Sequence, residues 1–279
     1  MLLRDALAFA VSRLTTAHVP SPRLNAELLL MFTLSCDRAY LHAHPERELT
    51  SEQTRRYQQA LAQRASGIPA QYITQHQEFW GMDLLVSPEV LIPRPETEHL
   101  IETVLPLARL RSNPRLADVG TGSGCIALAL ASELLSAEIH ATDISAAALE
   151  IARANAARHQ LEGRIHFHQT DLLRGLDPAQ FDFVVSNPPY VGDAEQDQVQ
   201  LEVRKFEPRD AVFAGPTGLE VIERLIPEAR AALLPGGWLV MEISATIVAQ
   251  VRGLLGGWDD VHIIPDLQDL PRVAAAHKP

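Results

Sequence analysis

The sequence predicts an α/β protein in which a small helical bundle precedes a mostly parallel, doubly wound sheet. Apolar residues recur at helical spacing through about the first 65 residues, with little strand signal between them. From about residue 115 onward, strand-like and helix-like segments alternate, which specifies parallel strands with helices on both faces of the sheet. A β-hairpin between these two regions completes the predicted architecture.

The bundle is predicted over residues 1–70 as three or four short helices. Ser21 before Pro22 is typical of a helix N-terminus, since proline is tolerated in the first turn. Thr50 and Gln53 have the spacing of a capping box, in which each side chain bonds the other's backbone N–H. These signals divide the region into separate helices.

The segment of residues 71–92 is predicted to be a β-hairpin linker with its turn at Trp80–Gly81, because apolar residues alternate on both sides of that turn. Residues 93–279 are expected to form the second domain. Its strand candidates, in chain order, are LADVG, EIHATD, RIHFHQTD, FDFVVSN and GGWLVMEI.

Composition and charge exclude several classes of protein. The two cysteines, Cys36 and Cys125, offer neither a disulfide framework nor metal-ligand spacing, which favours a reducing cytoplasm. No apolar run is long enough to span a bilayer, so we expect no membrane association. The net charge is −11, and the chain beyond residue 75 carries about −13 of charge against about +2 before it. This balance argues against direct nucleic-acid binding by the second domain.

Five histidines could suggest a metal or acid–base site. They lie in separate sequence segments, and we therefore predict surface or packing roles and no metal. These histidines are His42, His44, His140, His166 and His168. Cys125 is interpreted in the same way, as a small packing residue at a helix start rather than a nucleophile.

A glycine-rich turn follows the first strand of the second domain. Gly120, Gly122 and Gly124 let the backbone turn tightly and pass close to a ligand. A dinucleotide-binding loop of the G-x-G-x-x-G pattern would need glycine at position 125, where Cys125 stands. The turn therefore favours a ligand without pyrophosphate.

Acidic residues stand at the ends of the next two predicted strands. Asp143 is positioned to accept hydrogen bonds from both hydroxyls of a ribose, and Asp171 to meet the edge of an adenine. Either aspartate alone could simply cap a helix. Together with the glycine turn they predict a nucleoside site, and a nucleoside cofactor without pyrophosphate suggests S-adenosylmethionine.

The tetrapeptide NPPY ends the fourth predicted strand. Pro188 and Pro189 fix the backbone and donate no N–H, so the Pro188 carbonyl is a rigid acceptor beside the side-chain oxygen of Asn187. These two acceptors can hold both hydrogens of a planar NH2 group, while Tyr190 supplies a flat face. The arrangement predicts methylation of an amide or exocyclic amino nitrogen, oriented towards a methyl sulfonium.

The chain resembles the HemK/PrmC family of class I, Rossmann-like S-adenosylmethionine-dependent methyltransferases, the release factor glutamine N5-methyltransferases. The resemblance covers essentially the whole chain, and its most specific parts are IPRPETE and FEPRDAVFAGPTG. The matching stretches are VLIPRPETEHLIE at 90–102, DVGTGSGCIALALA at 118–131, TDIS at 142–145, VVSNPPYV at 184–191, FEPRDAVFAGPTGLEVIERLI at 206–226 and PGGWLVMEI at 235–243.

The resemblance implies that the substrate is the glutamine of the GGQ loop in bacterial-type peptide chain release factors. It implies a cytoplasmic enzyme whose N-terminal bundle contacts the release factor, and nothing in the sequence demands more than a monomer. S-adenosylmethionine, which leaves as S-adenosylhomocysteine, would contact Gly120, Thr121, Gly122, Ser123, Gly124, Asp143, Ile144, Asp171, Leu172 and Asn187. The glutamine amide would contact Asn187, Pro188, Pro189 and Tyr190, with Arg94 and Glu96 beside it.

Two positions depart from the family pattern. Leu172 stands where relatives often have an aromatic residue, and Ser244 where they often have glycine.

Rival hypotheses are an amino-methyltransferase acting on adenine or guanine of DNA or RNA, a non-catalytic scaffold, and a nicotinamide dehydrogenase. The absence of a recognition insert or basic surface weighs against the first of these, and the intact glycines, Asp143 and NPPY weigh against the second.

Overall fold

The computed structural model describes residues 1–279 as two compact units, Met1–His76 and Gln77–Pro279. The first unit is helical throughout and has its own apolar core, which includes Leu14, Leu30 and Leu61. Its helices are α1 (Leu3–Thr16), α2 (Pro22–Leu34), α3 (Arg38–Ala43), α4 (Ser51–Ala65) and α5 (Ala70–Thr74).

Helices α4 and α2 begin at the residues predicted for their N-termini, but only α4 has a side-chain cap. Helix α4 begins with the predicted capping box, since Gln53 N donates to Thr50 Oγ1 and Thr50 N donates to Gln53 Oε1, both at 3.1 Å. Ser21 precedes α2 as predicted, but its side chain makes no capping bond and its φ is +46°. The first turn of α2 is therefore supported by Pro22 rather than by a serine cap.

The second unit begins within a two-stranded hairpin whose turn lies at Trp80 and Gly81, both with positive φ. The residues just before it, 70–74, form helix α5 where alternation had suggested extended chain. The strands are β1 (His76–Phe79), β2 (Met82–Leu85), β3 (Arg115–Val119), β4 (Glu138–Asp143), β5 (Ile165–Gln169), β6 (Phe181–Ser186), β7 (Val191–Gly192), β8 (Phe213–Gly215), β9 (Leu233–Glu242), β10 (Asp259–Pro265) and β11 (Pro271–His277). The helices are α6 (Glu98–Ala108), α7 (Cys125–Glu133), α8 (Ala146–Arg158), α9 (Leu201–Phe206), α10 (Glu220–Ala232) and α11 (Val248–Leu254).

A seven-stranded sheet organises the second unit, in the order β10-β11-β9-β6-β3-β4-β5. Strands β9, β6, β3, β4 and β5 run parallel and correspond to the five predicted strands. Strands β10 and β11 form an antiparallel extension that the sequence did not reveal. The predicted α/β class and doubly wound sheet are confirmed.

Helices cover both faces of this sheet. Alternate residues of β3 enter opposite cores: Leu116 packs with α6 and α7 on one face, and Ala117 packs with α10 on the other. The order of the strands reverses between β3 and β6, and the helices that follow them therefore leave on opposite faces. Such a reversal opens a crevice at the carboxyl ends of the strands. Among all these helices, none combines the length and the apolar character needed to cross a bilayer.

A buried carboxylate shapes the turn after β3. Asp118 is fully buried, and its Oδ2 accepts hydrogen bonds from Thr121 Oγ1 at 2.6 Å and from Ala127 N at 3.1 Å. Its Oδ1 has no hydrogen-bond partner. Burial raises the pKa of this carboxyl to about 7, against the bonds from Thr121 and Ala127, which lower it. Asp118 thus ties the strand, the glycine turn and the first turn of α7 together.

Asp118→Asn should become more stable relative to the wild type as the pH rises. A solvated aspartate has a pKa of about 3.9, so between that value and about 7 the folded protein binds more protons than the unfolded chain. Its stability therefore falls with rising pH across this window, by up to about 1.4 kcal/mol per pH unit. An asparagine oxygen can keep the bonds to Thr121 and Ala127 without that dependence. Urea unfolding at pH 5 and pH 8 measures the difference.

The matched control is Asp177→Asn, at an exposed aspartate of the same unit. That substitution should leave the slope of stability against pH as in the wild type. If the free energy of unfolding changed with pH equally in Asp118→Asn and the wild type, the buried carboxyl would not hold a proton in this range.

Candidate active site

A cavity of about 550 Å³ lies at the carboxyl ends of β3, β4 and β6, where the strand order reverses. Most of the residues predicted for the site line it: Arg94, Gly120, Thr121, Gly122, Ser123, Asp143, Ile144, Asp171, Leu172, Asn187 and Pro189. Four others lie outside its wall: Glu96, Gly124, Pro188 and Tyr190. The fold thus brings together segments that are far apart in the sequence.

The three glycines of the turn have different environments. Gly120 and Gly122 have φ of +74° and +55°, and a Cβ on either would meet no atom within 4 Å. Both therefore present open backbone to the cavity. A Cβ on Gly124, with φ of +84°, would lie 2.5 Å from Leu128 Cδ1 and 3.2 Å from Ala152 Cβ. Gly124 is thus required for close packing of α7 against α8.

Asp143 ends β4 with its carboxylate held by backbone amides. Gly122 N donates to Oδ2 at 2.9 Å, and Ser145 N donates to Oδ1 at 2.8 Å. Burial nevertheless raises the pKa of this carboxyl. Each carboxylate oxygen keeps a further lone pair for a hydroxyl donor. The side chain is thus rigidly held and still able to accept hydrogen bonds in the cavity.

Asp171 is engaged more fully than the sequence suggested. Arg224 donates to its Oδ2, and Arg174 lies at 3.2 Å from the same oxygen. The hydrogen bond from Arg224 lowers the pKa of the carboxyl, which is therefore held as the anion. The neighbouring Leu172 has φ of +55° and offers an apolar surface to the cavity. An adenine contact by Asp171 stays a prediction.

Asn187 follows β6 and belongs to a hydrogen-bonded chain that leads into the protein. Its Nδ2 donates to Thr97 Oγ1 at 3.1 Å, and Thr97 Oγ1 donates to Glu242 Oε2 at 2.8 Å. Tyr190 donates from its hydroxyl to Glu242 Oε1 at 2.9 Å. With its NH2 group committed to Thr97, Asn187 is left with its side-chain oxygen as a free acceptor.

Arg94 is fixed by a carboxylate from a distant segment. Glu207 Oε1 accepts a hydrogen bond from Arg94, and Glu207 Oε2 accepts one from Ile92 N at 3.1 Å. The side chain of Glu207 is only 1% exposed, so its oxygens need these hydrogen-bond partners. This pairing holds the IPRPETE and FEPRDAV segments together beside the cavity, which Arg209 and Phe213 also line.

Sequence reasoning missed the roles of Thr97, Glu207 and Glu242. Each lies in a stretch quoted for the family resemblance, but no role was assigned to it. One available signal was Glu242 itself, an ionisable residue in the otherwise apolar strand LVMEI, because a buried charge needs a partner. The role of the buried side-chain amide of Asn155 was also missed. Its Oδ1 accepts from Leu85 N, and its Nδ2 donates to Ser123 O.

The histidines of β4 and β5 come together on one face of the sheet, although they lie in separate segments of the sequence. His140 lies 3.0 Å from His168, measured from Nδ1 to Nε2, and its ring also packs against that of His166. Glu138 bonds His140 Nε2 at 2.9 Å, and both of its oxygens are also held by Arg115. These contacts describe a packed cluster outside the cavity, in which His140 is buried and His166 is exposed.

Cys125 lines the cavity at the start of α7. Burial raises the pKa of its thiol to about 12, so the thiol stays protonated at neutral pH. A protonated, buried thiol is a poor nucleophile, which fits the packing role predicted for it.

The cavity fits a nucleoside cofactor. Its volume lies within the usual range for small-molecule sites. Open glycine backbone lines one wall, and a carboxylate able to accept from hydroxyls lies beside it. Thr142, which lies in the same wall, has a buried hydroxyl without a hydrogen-bond partner.

Comparison with solved structures supports the fold. The hMettl16 catalytic domain, solved in complex with an RNA hairpin of the MAT2A 3'UTR, superposes with a TM-score of 0.58 at 20% identity, over 78% of this chain and 81% of that one. A methyltransferase from Pyrococcus furiosus gives a TM-score of 0.51 at 20% identity, over 71% of this chain and 89% of that one. At this identity the likeness concerns the fold alone.

Comparison of sequences is more specific. Residues 5–74 match the PrmC N-terminal domain, and residues 97–205 match the methyltransferase small domain. A release factor glutamine methyltransferase from Koribacter versatilis is 54% identical, over 100% of this chain and 99% of its own length. Another from Moorella thermoacetica is 41% identical, again over 100% and 99%. The chain therefore belongs to the family of release factor glutamine methyltransferases, which are S-adenosylmethionine-dependent enzymes.

Proposed function

We propose that this enzyme transfers a methyl group from S-adenosylmethionine to the side-chain amide nitrogen, N5, of the glutamine in the GGQ motif of peptide chain release factors. The observation that carries the proposal is the orientation of Asn187. Its NH2 group is committed to Thr97, so its oxygen remains as an acceptor at the cavity wall. An acceptor at this point suits an NH2 group as the nucleophile. Family membership favours a protein glutamine over a nucleic-acid base.

The residues proposed to hold the cofactor are those that line the first part of the cavity. Gly120 and Gly122 offer open backbone, and Asp143 accepts from the ribose hydroxyls. Leu172 and Ile144 give apolar cover, and Thr121 and Ser123 complete the turn. Gly124 contributes through helix packing, and Asp171 through its ion pair with Arg224. Bound S-adenosylmethionine supplies an electrophilic methyl group on its sulfonium and leaves as S-adenosylhomocysteine.

The protein's own part is to orient and activate the amide. An amide nitrogen is a weak nucleophile because its lone pair is delocalised into the carbonyl group. In the proposal, Asn187 Oδ1 and the Pro188 carbonyl accept the two N–H hydrogens, which raises electron density on nitrogen and aligns it for attack. The proton leaves after the nitrogen has become cationic, so no strong base is needed.

The surrounding residues are proposed to shape the substrate pocket. Pro189 lies in the cavity wall, Pro188 is buried, and the hydroxyl of Tyr190 is held by Glu242. Arg94 is fixed by Glu207, and Glu96 lies within the same segment. These contacts support a rigid pocket for one flat amide group.

The domain assignments are part of the same proposal. Residues 1–70 would dock the body of the release factor, 71–92 would be the hairpin linker, and 93–279 would carry the chemistry. The matched PrmC N-terminal domain at residues 5–74 supports the first of these roles. A protein substrate of the translation machinery suits a cytoplasmic enzyme that acts as a monomer and binds no nucleic acid directly.

The testing experiment measures transfer of labelled methyl from S-adenosylmethionine to a purified bacterial-type release factor. Label should appear on the intact factor and be absent from a variant in which GGQ is changed to GGA. Mass spectrometry should place the added methyl on the glutamine side chain. Equal labelling of both factors, or labelling only of added DNA or RNA, would contradict the proposed substrate.

Two substitutions should separate catalysis from cofactor binding. Asn187→Ala removes the amide acceptor, so kcat should fall roughly 100- to 1,000-fold while the Kd for S-adenosylmethionine changes little. Asp143→Ala removes the hydroxyl acceptor and should weaken cofactor affinity roughly 10- to 100-fold. Calorimetry gives the Kd values, and single-turnover kinetics give the rates.

Each of the two variants is the control for the other, because one should lower kcat and the other should weaken cofactor binding. If Asn187→Ala abolished cofactor binding, or Asp143→Ala left both affinity and turnover at wild-type values, the assigned roles would be incorrect. Thermal unfolding of both variants checks that each remains folded.

A further inference from the structure

A buried carboxylate joins three segments that are remote in sequence. Glu242, at the end of β9, is only 2% exposed. Its Oε2 receives the hydroxyl of Thr97 at 2.8 Å, and its Oε1 receives the hydroxyl of Tyr190 at 2.9 Å. Thr97, itself 2% exposed, receives Asn187 Nδ2 at 3.1 Å. A continuous hydrogen-bonded path therefore leads from Glu242 to the cavity wall.

The direction of the hydrogen bonds along this path follows from elementary donor and acceptor counts. While Glu242 is ionised it can only accept, so Thr97 donates its single hydroxyl proton to Glu242. The Thr97 oxygen can then only accept from its other neighbour, which must present an N–H. Asn187 is thereby obliged to turn its NH2 group inward and its oxygen outward. A carboxamide is almost symmetric in shape, so sterics alone would not select this orientation.

We propose that Glu242 is a positioning residue that acts through Thr97 to fix the carboxamide of Asn187 with its oxygen facing the substrate, while it holds Tyr190 with its other oxygen. The inference rests on the proposed function, because the outward oxygen matters for a substrate that offers an NH2 group. Glu242 touches neither substrate nor cofactor in this scheme. Its effect on the reaction is wholly indirect.

Protonation of Glu242 should undo this orientation. A protonated carboxyl can donate to Thr97, whose hydroxyl is then free to donate to the oxygen of Asn187 and draw that oxygen inward. Burial raises the pKa of Glu242, while the bonds from Thr97 and Tyr190 lower it. The titratable and charged groups that face this carboxyl are Tyr190 after β6, Arg272 on β11, Glu96 beside Thr97, and Cys125 at the start of α7.

The kinetic test compares Thr97→Val, Thr97→Ser and Glu242→Gln. Valine matches threonine in shape but cannot relay a hydrogen bond, so kcat for release factor methylation should fall roughly 10- to 100-fold with the Kd for S-adenosylmethionine unchanged. Serine keeps the hydroxyl and should restore most of the lost rate. Glutamine can present either its oxygen or its NH2 to Thr97, so Glu242→Gln should also lower kcat.

Two further kinetic readouts separate a relay from mere structural support. In the wild type, kcat should fall as the pH drops through the raised pKa of Glu242, and this acidic limb should be absent from Glu242→Gln. The double variant Glu242→Gln/Thr97→Val should lose clearly less rate than the product of the two single losses, because both changes break the path through Thr97. Multiplicative losses in the double variant, or an unchanged pH profile in Glu242→Gln, would overturn the proposal.

A second measurement needs no substrate and therefore tells failure of the relay from failure of the proposed function. Side-chain amide NMR of the full chain, assigned through Asn187→Ala, should show an Asn187 carboxamide proton protected from exchange. Thr97→Val should remove that protection, and Thr97→Ser should retain it. Equal protection in Thr97→Val would overturn the relay even if release factors are methylated. Loss of protection, with no methylation of release factors by the wild type, would leave the relay standing and reject the substrate.

Discussion

The reversal of strand order between β3 and β6 is the constraint on which the rest of the structure depends. Parallel strands all deliver their carboxyl ends to the same edge of the sheet, and helices that leave on opposite faces keep a crevice open between them. The glycine turn after β3, Asp143 at the end of β4 and Asn187 after β6 meet there for this reason alone. Their chemistry is useful only because the topology brings them together.

The parts of the site that depend on local sequence could be predicted. The strand-like segments predicted β3, β4 and β6, and the glycine turn, Asp143 and the Pro-Pro pair were recognised at their ends by residue type. Thr97 and Glu242 could not be paired from sequence, because 145 positions separate them and either residue alone is unremarkable. The family resemblance marked both stretches, yet only the folded structure shows that the two side chains are hydrogen-bonded.

The same reasoning explains the missed strands. Residues 271–277 read PRVAAAH, in which alanines favour helix and alternation is absent. They form a strand because β9 offers a free edge and because Val273 through Ala276 are buried within the sheet's two cores. Burial between neighbours decided the conformation over intrinsic preference.

Three carboxyl groups lie within or near one crevice of an already acidic chain: Asp118 and Glu242 are buried, and Asp143 is partly buried. Desolvation raises the pKa of all three, so each carboxyl group lowers the stability of the fold when it is ionised. A protein selected only for stability would replace them with neutral residues. Their presence indicates that this region trades stability for defined hydrogen-bond acceptors.

The position of β11 in the sheet has a consequence for how the protein is made. This strand lies between β10 and β9, so the last parallel strand has an open edge until residue 277 has been synthesised. A ribosome that stopped before that point would release a chain with an unpaired strand, and such edges promote aggregation. Completion of this enzyme's sheet therefore requires that translation reach the codons for β11.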